Sequence, residues 1–111
     1  MSIIDLQRSP KTDQEFQVWA WAHRVEHTRI RNRIQALGGP NLQDLQLEPI
    51  NTNDMTGWLE RHQQAHEDMT LATNVQSVDL QTVDFKKPDE VNAWIEIHYR
   101  EHFDVNSVLR I

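Results

Sequence analysis

A tryptophan followed four and eight residues later by histidines occurs three times in this chain: Trp19, His23, His27; Trp58, His62, His66; and Trp94, His98, His102. The copies are offset by 39 and 36 residues and together use all six histidines. A period in that range marks a repeated unit of one element plus one connection. Positions i, i+4 and i+8 share one face of an α-helix, about 6 Å apart along its axis. The repeat therefore predicts three helices that turn the same aromatic stripe inward.

Helix signals bracket each copy. Thr12 with Glu15 three residues on is a capping box, and Gly38-Gly39-Pro40 ends the first helix. Between them Phe16, Trp19, His23, His27, Ile30, Ile34 and Leu37 recur at helical spacing, so a helix is expected over 12–37. The second starts near Thr52–Asp54 and carries Met55, Trp58, Leu59, His62, His66 and Met69 to about residue 73. The third opens at Pro88, with Asp89 and Glu90 in its first turn, and runs to about 109. The connections, roughly 38–51 and 74–87, are dotted with aliphatic residues (Leu42, Leu45, Leu47, Ile50; Val75, Val78, Leu80, Val83) and Phe85. They are expected to pack along the bundle. The fold class is all-α: a single domain over 1–111, a three-helix bundle with two ordered crossover linkers and a Trp/His core.

The helix directions stay open at this point. With helix two antiparallel, His23, His98 and His66 share a layer, and His27, His102 and His62 the next. With all three parallel the layers are His23, His62, His98 and His27, His66, His102; fourteen extended residues reach about 46 Å, so the linkers allow it. Either way two layers of three imidazoles stack in the core. The expected state is a metal-free, hydrogen-bonded polar core with no cofactor. The alternative is a transition-metal tripod, zinc or iron first, since neutral imidazole also suits copper and nickel. Glu26, Glu67 and Glu101 fall one position off the stripe, about 100° round the helix, and leave no inward carboxylate to bridge two metals. The tryptophans are expected to cap the His layers, each indole N–H finding a buried acceptor.

Composition narrows the function classes. The chain has no cysteine, which excludes disulfides, thiol catalysis and thiolate metal sites. Its three glycines form no phosphate-binding loop. No apolar run approaches the ~18 residues of a membrane span, and MSIIDLQRSP lacks signal-peptide character, so a location outside membranes and the secretory route is expected. The net charge of −6 argues against sequence-independent nucleic-acid binding. Positive charge gathers at Arg24, Arg29, Arg31 and Arg33, which either complement a helix C-terminus or, with the off-stripe Trp21, form a docking surface. His23–His27 and His98–His102 also read H-x-x-E-H, the order of inverted zinc peptidases, but the third copy has Ala65 at the Glu position.

The paired histidines with a tryptophan one turn earlier resemble hemerythrin-type di-iron proteins. Residues 55–111 resemble small uncharacterised proteins encoded among the particle genes of tailed bacteriophages. That likeness rests on W-L-x-x-H-x-x-x-H, V-D-F-x-x-P (Val83–Pro88), W-I-x-x-H-Y-x-E-H and a V-L-x-I end. It implies a non-enzymatic virion or assembly component, in the particle or the host cytoplasm, whose partners are other particle proteins or further copies of itself. The hemerythrin likeness implies a His-ligated metal or non-haem redox protein. A hydrolase acting through H-x-x-E-H is the most distant reading.

Overall fold

A computed structural model describes residues 6–42 and 55–111, and shows three helices in mutual contact: α1 (Asp13–Ala36), α2 (Met55–Thr73) and α3 (Pro88–Leu109). The first helix opens on its capping box: Thr12 Oγ1 accepts from the Glu15 amide at 3.1 Å. The Glu15 carboxylate reaches back to the Lys11 amide, one residue before the cap, at 3.1 Å. Its end needs both glycines. Gly38 takes φ +84, and a Cβ on Gly39 would come within 2.7 Å of the Ile34 side chain. Pro88 begins α3 as expected, and Arg110 in the left-handed region closes it.

The helices run parallel. Trp19, Trp58 and Trp94 meet at one level, with indole centroids 6.0–6.4 Å apart for Trp19–Trp94 and Trp58–Trp94. His23, His62 and His98 form the next layer, and His27, His66 and His102 the one after. Ile30, Met69 and Val105, then Ile34 and Leu109, continue an aliphatic core below. Each layer takes one residue per helix at the sequence offsets of 39 and 36, so the repeat becomes a pseudo-threefold axis along the bundle.

Parallel neighbours require connections that travel the full bundle length. The second does so as a strap in the groove between α2 and α3. The Val78 amide donates to Glu101 Oε2 (3.1 Å) and the Val78 carbonyl accepts from Gln63 Nε2 (3.1 Å). The Leu80 amide donates to Gln63 Oε1 (2.8 Å), and Trp94 Nε1 donates to the Leu80 carbonyl (2.7 Å). Leu80 itself is fully buried against the tryptophans. Of the first connection, Leu42 packs on the lower aliphatic cluster. Leu45, Leu47, Ile50 and the expected helix start at Thr52–Asp54 lie outside the described residues. Among the described residues no helix is long and apolar enough to cross a membrane.

Candidate metal centre

The two imidazole layers are built by helix geometry alone. Each tryptophan of the repeat stacks on the histidine one turn later: Trp19 on His23 at 4.8 Å and 14°, Trp58 on His62 at 4.6 Å and 15°, Trp94 on His98 at 4.7 Å and 9°. These stacks fix the planes of the upper three rings and roof the cluster. Ile30, Met69 and Val105 floor it. Five of the six histidines are essentially inaccessible; His27 keeps part of its side chain at the surface.

The ring nitrogens converge. His23 Nε2 lies 3.1 Å from His62 Nε2, which lies 3.1 Å from His98 Nε2, and His27 Nε2 is 3.0 Å from His23 Nε2. One nitrogen from each of His23, His27, His66, His98 and His102 lies within 4.8 Å of all the others, and His62 joins through its two short contacts. Yet His66 Nε2 and both nitrogens of His102 have no hydrogen-bond partner among the described residues, nor do Nδ1 of His62 and His98. Buried polar atoms without partners are costly, at roughly 1–3 kcal/mol each.

Burial holds every imidazole neutral. His23 is pushed down to about 3 by burial. The other five are held well below the ordinary histidine value, first by burial and then by the charge each neighbouring imidazole would carry if protonated. Neutral imidazole is the form that donates a lone pair to a metal.

Two of the carboxylates one position off the stripe are buried rather than exposed. Glu101 Oε1 lies 2.7 Å from His66 Nδ1 on the neighbouring helix, while its other oxygen accepts from Val78. Burial pushes its carboxyl up to about 7. Glu26 is equally buried, between Arg29 (3.2 Å) and the Asn106 amide (3.5 Å). Both glutamates precede the second histidine of their pair and meet the adjoining helix, whereas Glu67, which follows His66, is exposed. A carboxylate on the outer nitrogen of an imidazole is the usual support for a ligating histidine, fixing its tautomer and orientation.

The candidate docking residues do not form one patch. Trp21 is 54% exposed, with Arg24 exposed three residues on. Arg29 is engaged by Glu26, and Arg33 Nε donates to the Leu109 carbonyl at 3.1 Å, serving the C-terminus of α3 rather than its own helix. Arg31 is half-buried. The indoles also divide: Trp94 finds its acceptor at Leu80, whereas Trp19 Nε1 has none among the described residues. Comparison with protein-family models, curated proteins and solved structures finds no match to this chain, so the six converging imidazoles are the feature from which its chemistry is read.

Proposed function

We propose that this chain is a non-enzymatic structural protein whose bundle is locked by a transition-metal ion in the histidine core. The observation that carries this is a pair of buried, partnerless ring nitrogens, His66 Nε2 and His102 Nε2, in a cluster of neutral imidazoles. Neutral donors, burial and a carboxylate behind His66 are the features a resident metal needs. The cluster is roofed by three indoles and floored by aliphatic side chains, which favours a staple over a reaction centre. Peptidase chemistry is disfavoured, because Glu101 is committed to His66 and Val78 and Glu26 to Arg29 and Asn106. A hemerythrin-type di-iron centre is disfavoured on similar grounds: Glu101 supports a ligand from outside instead of bridging two ions.

The role of virion or assembly component in a tailed-phage particle, in the particle or the host cytoplasm, rests on the resemblance of residues 55–111. The outer face of α1 offers it a partner surface in Val18, Trp21 and Arg24. The partners are other proteins of the particle or further copies of this chain, without direct nucleic-acid contact. Elemental analysis of the purified protein combined with its mass in solution tests both halves. A stoichiometric transition metal supports the staple, and self-association supports the assembly role. A protein that retains no metal after loading refutes the staple.

A further inference from the structure

We propose that all six imidazoles close on a single divalent ion through Nε2 in octahedral geometry. The ion of the preceding reading, on which this rests, is then six-coordinate ferrous iron or nickel rather than zinc or copper.

Three distances decide the coordination number. The three short nitrogen–nitrogen edges, His27–His23, His23–His62 and His62–His98, are 3.0–3.1 Å. An octahedron with that edge has its centre about 2.2 Å from each vertex, an ordinary metal–imidazole bond length, whereas a tetrahedron would place the metal at about 1.9 Å, shorter than zinc–nitrogen bonds of 2.0–2.1 Å. The opposite vertices of the octahedron would be about 4.3 Å apart, inside the 4.8 Å that bounds the donors of His23, His27, His66, His98 and His102.

Ring positions repeat the pattern. An octahedron has twelve neighbouring pairs and three opposite ones. Within the upper layer centroids are 4.9–5.0 Å apart, and within the lower 4.8–4.9 Å. Pairs on the same helix are 4.3–4.6 Å apart. Three pairs between layers and helices, His66–His98, His23–His102 and His27–His62, complete the twelve at 4.8, 5.6 and 6.1 Å. His23 and His66 are assigned as an opposite pair, with centroids 6.3 Å apart. The lower triangle is thus rotated part of the way from eclipsed toward staggered, and closing on one ion would complete the turn to a trigonal antiprism.

Six nitrogen donors leave no open position. Zinc takes four ligands in structural sites and copper(II) prefers tetragonal geometry, so a six-imidazole cage selects an ion that accepts an octahedron of nitrogen. The buried carboxylate of Glu101, held on His66 Nδ1, lies just outside it and offsets part of its positive charge.

The full chain is stripped with chelator, reloaded anaerobically with ferrous iron, and separately with nickel and cobalt(II), and examined by metal analysis and X-ray absorption. One ion per chain, with six nitrogen scatterers at about 2.2 Å and a weak cobalt d–d band, supports the proposal. A four- or five-donor shell, an intense tetrahedral cobalt band or two ions per chain overturns it and leaves the metal staple standing. Retention of none of these metals removes both.

Discussion

A ring nitrogen of imidazole has one in-plane valence, filled either by a proton or by a lone pair. Six nitrogens meeting at one place can therefore form at most three hydrogen bonds among themselves, and only with three protons pointing into the cluster. The chain of short contacts from His27 through His23 and His62 to His98 already asks His23 and His62 to serve two neighbours each. A cation uses all six lone pairs and moves the protons to the outer nitrogens, where Glu101 waits for that of His66. Glu101→Gln is accordingly expected to weaken metal retention about 10- to 100-fold, read by competition with a chromogenic chelator, with the fold intact by circular dichroism. The repeat position equivalent to Glu26 and Glu101 is Ala65, and under the pseudo-threefold its neighbour is His27, the one histidine that reaches the surface. Ala65→Glu should give His27 the outer acceptor it lacks a counterpart for and slow metal exchange; faster exchange would refute that placement. Replacing His62 and His66 together by alanine should lower stability by about 2–5 kcal/mol, through cavities and stranded imidazoles, in chemical denaturation.

At the scale of elements, the stripe, the caps and the linker pattern made three helices legible, and two of their boundaries differ from expectation by a single residue: α1 is Asp13–Ala36, against 12–37. Helix direction was harder. A His pair at i and i+4 maps onto itself when a helix is reversed, so imidazole layers form in either topology. The tryptophans break that tie: an antiparallel α2 would carry Trp58 to the far end of the bundle, away from Trp19 and Trp94. Only the parallel order puts three indoles in one roof and aligns Ile30, Met69 and Val105 below. The burial of Glu26 and Glu101 was not legible from periodicity on one helix, because it depends on which neighbour the off-stripe position meets. The strap from Val78 to Leu80 shows the same dependence: its backbone groups are satisfied by side chains from two different helices. Gln63→Ala removes two of those bonds at once and should cost about 1–3 kcal/mol, with the Leu80 amide losing hydrogen-exchange protection. Unchanged exchange there would mean that Trp94 and the burial of Leu80 hold the strap alone.

For the molecule as a whole, the imidazole core makes stability a function of pH with a definite sign. In the metal-free protein the folded-state values are depressed, to about 3 for His23 and well below 6.5 for the rest, while the unfolded chain titrates near ~6.5. Between those values the unfolded state binds more protons, so stability is complete above ~6.5 and falls as the pH drops below it. Each such imidazole removes about 1.4 kcal/mol per pH unit, and a small domain holds only about 5–15 kcal/mol in total. Glu101 works in the opposite direction: raised to about 7 in the fold, it gains stability as the pH falls from 7 toward the unfolded carboxyl value. One carboxyl against six imidazoles cannot reverse the trend. Thermal melting in the presence of chelator should thus be level from pH 8 to about 6.5 and collapse near pH 5. With the metal bound, protons must displace ligands before they can charge the core, so the collapse moves to lower pH and the neutral-pH melting temperature rises. A chelated protein whose melting temperature stays flat to pH 4.5 would show that the imidazoles are not buried in neutral form. Identical curves with and without metal would show that the core folds around itself and that the ion contributes nothing to it.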